Sequence, residues 1–419
     1  GGEEQVITAR AFTGKDPAAD MTGEPQLPGD PIDTPEEPIL PDLALRQAML
    51  QFIVKRGDFA TVIAGYPWFL DWGRDTLIVC RGMVAAGMTD MVGEIVQQFA
   101  AFEDGGTLPN MIRGNDAGNR DTSDAPLWLF VVCRDLLREG HGDILELSCG
   151  RRRLREVLSD MGDALCRGTS NGIRMDPESA LLYSPSHFTW MDTNHPAGTP
   201  REGYPIEIQA LWFAALDFLA EIGSPEKTAH WRLLADRVAA SINHLYFMEE
   251  LGYLSDCRHG LPGRPASACQ ADDALRPNQL FAITLGAIHD RSRAGQIVQA
   301  CEALIVPGAI RSLADRPVQV PLAVQHRGRL LNDPLNPYQG HYQGDEDTRR
   351  KPAYHNGTAW AWVFPSFCEA RAMVFGESSR DTSRALLATA LDHMNTGCLG
   401  HIPEIVDGDI PQIGRASCR

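Results

Sequence analysis

The stretch Ala64-Gly-Tyr-Pro-Trp-Phe-Leu-Asp-Trp-Gly-Arg-Asp-Thr-Leu-Ile78 is an aromatic and polar loop that passes directly into an apolar helix. From residue 75 to 88, apolar residues recur at i, i+3 and i+4, the spacing of an amphipathic helix. The same spacing predicts ten further helices, at 43–56, 89–103, 123–139, 151–167, 205–222, 225–248, 277–288, 291–305, 355–374 and 378–395. Alternating strand patterns are few, so the sequence predicts an all-α fold.

Composition narrows the class of function. The chain has 419 residues, of which 43% are hydrophobic, as in an ordinary soluble globular protein. Its 55 acidic and 38 basic residues give a net charge of -17, which argues against a general nucleic-acid binder and suits a neutral ligand such as a sugar. Since no apolar run approaches the ~18 residues of a membrane helix, we expect no membrane association.

Cysteine and histidine spacing indicates neither a metal nor a cofactor. The ten cysteines form no CxxC pair, and several lie in apolar runs, as buried thiols of a reducing, cytoplasmic compartment do. The twelve histidines form no HxH or HxxxH pair. No phosphate-binding loop or dinucleotide fingerprint occurs in a suitable context.

Long loops separate the predicted helices and concentrate the functional residue types. Residues 1–42, rich in Pro, Gly, Asp and Glu, are predicted to be a linker or a disordered arm. The long loops lie at 105–122, 169–204, 249–276 and 306–354, and loops of this length are usually functional or disordered. In a helical toroid such loops gather at one mouth, where we expect the site.

The loop that opens the helix at residue 75 has the chemistry of a sugar site. Sugar rings stack their apolar faces on aromatic side chains and present hydroxyl groups to carboxylates and guanidinium groups. Trp68, Asp71, Trp72, Arg74 and Asp75 provide these groups. The alternative is an ordinary helix start, with Asp75 favoured by the helix dipole.

A second candidate segment contains Trp190-Met-Asp192 and, beyond Arg201, an apolar helix with Glu207 in its first turn. A carboxylic acid beside a tryptophan can be held in a partly apolar pocket, which raises the pKa of such a group as a general acid requires. Asp192 could instead be an exposed turn residue or a helix cap. Glu207 could bind substrate or only interact with the helix dipole.

Two further segments lie near the C-terminus. In Lys351-Pro-Ala-Tyr-His-Asn-Gly-Thr-Ala-Trp-Ala-Trp362, His355 could bind a hydroxyl group or cap the predicted helix that holds both tryptophans. Gly400-His-Ile-Pro-Glu-Ile-Val-Asp-Gly-Asp409 supplies Glu404 and two further acids, too few oxygen ligands for a calcium loop. A pair of carboxyl groups flanking the scissile bond is what glycosidases usually need.

Seven motifs in order resemble the C-terminal, amylo-α-1,6-glucosidase domain of glycogen debranching enzymes. They are AGYPWFLDWGRDTLI, Thr107-Leu-Pro-Asn110, Ser123-Asp-Ala-Pro-Leu-Trp128, TWMD with TPREGYPIEIQALW, Leu275-Arg-Pro-Asn-Gln279, Tyr354-His-Asn-Gly-Thr-Ala-Trp360 and Ile402-Pro-Glu-Ile-Val-Asp-Gly-Asp409. The resemblance implies an (α/α)6 barrel, or toroid, over residues 43–411. It also implies an α-glucan or oligosaccharide substrate cleaved at α-1,6-linked glucose.

The resemblance assigns the general acid of an inverting mechanism to Asp192 and the general base to Glu404. Substrate-binding positions follow by the same matching: Trp68, Asp71, Arg74, Asp75, Asn110, Asp124, Trp128, Trp190, Arg201, Glu207, His355 and Trp360. The sequence departs mildly from the family pattern at Gln209, Asn356 and Ala361.

The tail departs from the family pattern entirely. After residue 411 the family continues into a further barrel helix, whereas Ile413 to Arg419 are what a common sequencing adapter encodes in one reading frame. We therefore expect residues 412–419 to be non-native and the last barrel helix to be missing.

Three alternatives remain open at this point. The first is another glucosidase on the same toroid: glucoamylase-like, trehalase-like or a processing α-glucosidase. The second is a catalytically silent carbohydrate-binding protein. The third is that the chain, without its closing helix, is unstable and inactive, because an unclosed toroid exposes apolar helix flanks.

Overall fold

The computed structural model describes residues 41–66, 69–114, 116–193, 199–395, 400–410 and 413–415. Most of the predicted arm 1–42 and of the predicted tail 412–419 lies outside these ranges. Within them the protein is mostly helical, as predicted, with these α-helices: α1 Pro41–Leu50, α2 Gly73–Ala85, α3 Thr89–Ala101, α4 Asp124–Arg138, α5 Leu154–Arg167, α6 Ile206–Ile222, α7 Pro225–Leu245, α8 Leu280–Thr284, α9 Arg291–Cys301, α10 Lys351–Tyr354, α11 Phe364–Phe375 and α12 Arg380–Ala388.

The described β-structure consists of strands of two to four residues, too short to show an alternating pattern in the sequence. They are β1 Ile53–Arg56, β2 Phe59–Val62, β3 Asp71–Trp72, β4 Met111–Ile112, β5 Ser148–Cys149, β6 Arg152–Arg153, β7 Arg174–Met175, β8 Leu182–Tyr183, β9 Gly203–Pro205, β10 Phe247–Met248, β11 Tyr253–Leu254, β12 Cys257–His259, β13 Gln270–Ala271, β14 Ile305–Val306, β15 Ala309–Arg311, β16 Gln325–His326, β17 Arg329–Leu330, β18 Ala359–Trp360, β19 Ile405–Val406 and β20 Gly414–Arg415. The largest sheet has the antiparallel order β14-β15-β18-β19-β20, and a second has the order β13-β12-β9.

The helices pack in two rows. In a central row, α2 contacts α4, α4 contacts α6, α6 contacts α8, and α8 contacts α11. The helices α3, α5, α7, α9 and α12 each pack against members of this row. Nearly every residue of α4 and α6 is buried, as expected for helices covered on all sides. An alternation of inner and outer helices is what a toroid requires, and closure of this row into a ring stays a prediction.

Several predicted helices are wrong in their bounds, and two of them show the physical reason. In the segment 43–56, which was predicted to be helical, the helix ends at Leu50. Ile53–Arg56 then pairs with Phe59–Val62 in a hairpin. Gly57 adopts a φ of 60° in the two-residue turn, a conformation that glycine tolerates and that suits such a hairpin.

The segment predicted as helix at 355–374 begins its helix only at Phe364. Ala359 and Trp360 instead form β18, because their backbone groups pair with β15 on one side and with β19 on the other. Pro365, which lacks an amide hydrogen, lies in the first turn of α11, where this loss costs no helical hydrogen bond. Trp360 is therefore a strand residue and not a helical one.

The buried side chains of the two rows form one large apolar core that contains Trp212, Trp231, Phe130 and Phe218. In the part of the chain that the structure describes, no helix combines the length and the apolarity needed to cross a membrane.

Candidate active site

Arg74, in the first turn of α2, connects three segments of the chain. Its Nε donates to Asp124 Oδ2 at 2.6 Å, its Nη1 to Asp192 Oδ2 at 3.1 Å and its Nη2 to the Thr189 carbonyl oxygen at 3.0 Å. Asp124 is the first residue of α4 and also accepts from Thr122 Oγ1. The guanidinium group thus joins the first turns of α2 and α4 to the loop that carries Asp192.

Close backbone contact around Gly73 fixes the position of Arg74. The Gly73 amide donates to the Asn110 carbonyl oxygen at 2.9 Å, and a Cβ atom at Gly73 would lie 2.4 Å from the Pro109 carbonyl oxygen. Only glycine allows this approach. Asn110 is brought beside the start of α2 by the same contact. Its side-chain Oδ1 is buried and has no hydrogen-bond partner among the described residues.

The environment of Asp75 indicates that three carboxyl groups lie close together, those of Asp75, Asp192 and Glu404. Burial raises the pKa of Asp75 to about 6; the positive charge of Arg74 opposes this shift, and the negative charges of Glu404 and Asp192 add to it. Because like charges disfavour ionisation only at short range, Glu404 and Asp192 must both lie near the first turn of α2. Residues from three distant parts of the chain therefore share one electrostatic environment.

A second arginine continues the network. Arg201 donates through Nη1 and Nη2 to Glu207 at 2.5 and 2.6 Å, and through Nε to Asp256 Oδ2 at 2.7 Å. Its Nη1 also donates to Thr189 Oγ1 at 3.0 Å. Thr189 therefore bridges both arginines, accepting from Arg74 with its backbone and from Arg201 with its side chain.

The Arg201 cluster is buried: Arg201, Glu207 and Asp256 are each no more than 3% exposed. The arginine holds a φ of 42°, which is uncommon for a residue with a side chain. Charges this deep are stable only when paired, and here each carboxylate is paired with the guanidinium group. Arg201 and Glu207 thus hold each other in a fixed position in the buried part of the site.

Aromatic rings form one wall. Trp190 makes edge contacts with His355, Trp360 and Trp362 at centroid distances of 5.5, 5.1 and 5.2 Å. Its indole Nε1 donates to Asn278 Oδ1 at 2.7 Å, and Asn278 Nδ2 donates to Asp256 Oδ1 at 2.7 Å. Asn278 therefore ties the aromatic wall to the Arg201 cluster.

The short strands place Glu404 against this wall. Ile405 of β19 pairs with Trp360 of β18, and the Ala361 amide donates to the Glu404 carbonyl oxygen at 3.2 Å. Tyr354 Oη donates to Glu404 Oε1 at 3.1 Å, while its ring packs on Trp360 at 4.7 Å. The Glu404 side chain is exposed, so substrate and water can reach it.

Some of the expected site residues are occupied elsewhere or lie outside the description. Asp71 is buried and is held by Arg56 and Thr61. Trp128 is 2% exposed in the apolar core, in edge contact with Phe281 at 5.6 Å. Trp68 falls outside the described residues. The other expected residues come together around Arg74, Arg201 and Trp190.

Four residues of the network were missed in the sequence: Thr189, Asp256, Asn278 and Tyr354. Thr189, Asn278 and Tyr354 lie inside three of the matched motifs, Thr189 as the first residue of TWMD, so the motifs were a usable signal for them. Thr189 directly precedes Trp190. Asp256 lies in the long loop 249–276, and no motif distinguishes it from the other acids there.

Gln209 and Asn356, where the sequence departs from the family pattern, form hydrogen bonds with their side-chain amides. Gln209 accepts from the Leu182 amide at 2.8 Å and donates to the Leu182 carbonyl oxygen at 2.9 Å. Asn356 accepts from Arg276 Nη2 at 2.9 Å and donates to the Pro352 carbonyl oxygen at 2.9 Å. Both amides hold loops beside the site.

Comparison with known proteins identifies the family of the chain. No curated protein matches the chain significantly. A family model described as amylo-alpha-1,6-glucosidase matches residues 47–419, nearly the whole chain. The chain therefore belongs to the amylo-alpha-1,6-glucosidase family and is, at that level, a glycoside hydrolase.

Proposed function

We propose that this protein hydrolyses α-1,6-linked glucose at the branch points of glycogen limit dextrin or of related α-glucans. Asp192 acts as the general acid and Glu404 as the general base, with inversion at the anomeric carbon. Trp190, two residues before Asp192, contacts Trp360 at 5.1 Å, and Trp360 packs on Tyr354, which donates to Glu404. This continuous contact between the segments that hold the two carboxyl groups is the observation that carries the proposal. It supports a pair of carboxyl groups acting on one bond.

The contacts of each carboxyl group fix its orientation. Arg74 holds one oxygen of Asp192, which fixes the direction of the other oxygen toward a glycosidic oxygen. Tyr354 donates to Oε1 of Glu404 and so holds the carboxylate that would activate a water molecule. In an inverting hydrolase the water attacks from the opposite face of the sugar, and the carboxyl groups are then expected ~6.5–9.5 Å apart.

Sugar recognition would use the groups around this pair. The unsatisfied Oδ1 of Asn110 is a ready acceptor for a sugar hydroxyl group. The half-buried Trp72 and Trp362, beside the site, provide apolar faces for a sugar ring. The side chain of Asp192 is 24% exposed, which leaves room for a ligand above it.

The test is hydrolysis of a panel of isomaltose-type, maltose-type and trehalose substrates, with the product anomer followed by proton NMR. We expect preference for the α-1,6 linkage and β-glucose as the first product. Preference for maltose or trehalose would favour a glucoamylase-like, processing α-glucosidase or trehalase-like activity. First release of α-glucose would contradict inversion, and glycan binding without sugar release would favour a silent carbohydrate-binding protein.

A further inference from the structure

A second polar cavity, of about 460 Å³, lies between α4, α6, α7 and the end of α8. Its lining includes Arg134, Arg138 and Thr284, together with Asp217 and Arg232. None of these residues belongs to the matched motifs or to the network around Arg74 and Arg201.

The cavity is separated from the candidate active site along the helices. Asp124 and Arg134 are ten residues apart on α4, and Glu207 and Asp217 are ten residues apart on α6. At 1.5 Å per residue each pair is separated by roughly 15 Å. A ligand in this cavity would therefore not contact the catalytic carboxylates.

Arg134 is the unusual feature of this cavity. The residue is only 4% exposed, and its buried Nε has no hydrogen-bond partner among the described residues. The adjacent acid, Asp135, accepts from Arg81 Nε at 2.7 Å instead. Burial lowers the pKa of Arg134, and the charge of the neighbouring Arg138 lowers it further.

A buried guanidinium N–H without a partner is costly, because it has lost water without gaining a hydrogen bond. Buried polar groups without partners in native proteins call for an explanation, and a bound ion or ligand is one. The cost is therefore a physical reason to look for an anion that pairs with Arg134.

Neighbouring groups complete a set of donors for an anion. Thr284 Oγ1 is buried and has no partner among the described residues. Arg138 is exposed at the rim, whereas Arg232 is already paired with Asp217. Three arginines face two aspartates here, in a chain whose net charge is -17.

We propose that this cavity binds the phosphoryl group of a small molecule, with Arg134, Arg138 and Thr284 as donors. Guanidinium groups match the tetrahedral oxyanion with paired N–H donors, and the hydroxyl group adds a third direction. The volume falls within the ~300–1,000 Å³ of small-molecule sites, which exceeds what free phosphate needs. The space beside Phe213, Asp217 and Asp236 suits a hydroxylated body attached to the phosphoryl group.

Calorimetric titration of the full chain tests this site with three probes: inorganic phosphate, glucose 6-phosphate and glucose. We expect saturable binding of inorganic phosphate and of glucose 6-phosphate, and no binding of glucose at this site. Tighter binding of glucose 6-phosphate would identify a phosphorylated polyol as the ligand class, and equal or tighter binding of phosphate would identify the free anion. Binding of neither phosphorylated probe would overturn the proposal.

Variants of the donor residues test whether the phosphoryl group binds in this cavity. Arg134→Gln and Arg138→Gln should each weaken phosphate binding by at least about tenfold, since each loses a charge-assisted donor pair. Arg380→Gln, an exposed arginine on α12 that is paired with Glu377, removes the same charge elsewhere and should bind normally. Asp192→Asn should also bind normally.

Two results would place the anion elsewhere: unchanged binding in Arg134→Gln and Arg138→Gln, or lost binding in Asp192→Asn. Circular dichroism checks the fold of each variant. If Arg134→Gln does not fold, the exposed Arg138→Gln and the near-isosteric Thr284→Val carry the test, and normal binding in both overturns the proposal.

Discussion

Arg74 Nη1 lies 3.1 Å from Asp192 Oδ2, so a helix start and a loop residue 118 positions later meet in one ion pair. The same guanidinium group binds Asp124 and the carbonyl oxygen of Thr189. Asp192 is thus held by a residue that is itself held on two other sides. This rigidity is what a general acid needs, because proton transfer depends on a fixed donor position.

The roles of Asp192 and Glu404 can be separated with two substrates. Asp192→Asn should lower turnover of an α-1,6 glucan by about 10²–10⁴-fold, the usual contribution of an acid or base. Its loss on α-glucosyl fluoride should be much smaller, because fluoride leaves without protonation. Glu404→Gln should lose activity on both substrates, since each needs an activated water.

Asp135→Asn is the control, because Asp135, like Asp192, accepts from an arginine side chain but lies outside the site. It should keep near-normal activity on both substrates. Near-normal turnover of the glucan by Asp192→Asn would remove Asp192 from its role. Equal loss on both substrates by that variant would point to a role other than protonation.

Tyr354 is predicted to position Glu404. Tyr354→Phe keeps the ring contacts with Trp360 and removes the 3.1 Å hydrogen bond to Glu404. A hydrogen bond to a charged group contributes about 1.5–3 kcal/mol, so kcat should fall by about tenfold or more while KM changes little. Steady-state kinetics on the glucan measures both constants.

Tyr183→Phe is matched to this variant, because Tyr183 donates to Glu202 Oε1 at 2.6 Å without contacting the catalytic pair. Its kcat should stay near that of the wild type. An equal fall in both variants would mean that the loss reflects general destabilisation and not the orientation of Glu404.

Asp75 should make stability depend on pH in a defined window. Burial raises its pKa from 3.8 to about 6, so its favourable contribution is complete below pH 3.8 and is lost as the pH rises through 6. Relative to the wild type, Asp75→Asn should gain stability by no more than about 3 kcal/mol between these limits. Urea unfolding at pH 4, 5 and 6.5 measures this difference.

Asp345 gives the opposite sign and serves as the comparison. Hydrogen bonds from the Thr348 amide and hydroxyl groups lower the pKa of Asp345. Its contribution is therefore present above the unfolded pKa and lost as the pH falls, so Asp345→Asn should lose stability relative to the wild type as the pH rises. Parallel pH profiles for both variants would contradict the environment described for Asp75.

The Arg201 cluster should be a large contributor to stability. Arg201→Ala leaves the buried Glu207 without its partner and leaves Asp256 with only Asn278 and the more distant Arg276, so it should destabilise the fold by about 3–5 kcal/mol. Thermal and urea unfolding measure this loss. Lys227→Ala, which removes an exposed pair with Asp163, should cost no more than about 1 kcal/mol. Similar losses in the two variants would mean that the cluster is more hydrated than its burial implies.

Much of the helical framework could be predicted because its signal is local. The spacing of apolar residues predicted α2 to α7 nearly to their ends, since one face of each helix must be buried wherever its partner lies. The strand at Trp360 could not be predicted in this way. Trp360 pairs with Ile310 on one side and with Ile405 on the other, 50 and 45 positions away, and no local pattern records such pairing.

The residues of the candidate site also fall into two groups, those that sequence motifs indicate and those that depend on long-range contacts. Asp192, Arg74 and Glu404 stand in dense motifs, so residue type and neighbours were enough to select them. Asp71 stands in the same motif as Arg74, yet it is held by Arg56, and no sequence pattern predicts this pairing. The part played by Asn278, between Trp190 and Asp256, depends on contacts that span 88 and 22 positions.

The sequence by itself determined the family, the helical content and the two carboxyl groups proposed for catalysis, because each is written in short runs of adjacent residues. The tertiary structure decided which charged residues pair with one another and which remain accessible to a ligand. Pairing depends on distance and burial, which only the packed helices establish. Glu404 was a motif residue in the sequence; β19 and Tyr354 are what bring it to the first turn of α2, where its charge acts on Asp75.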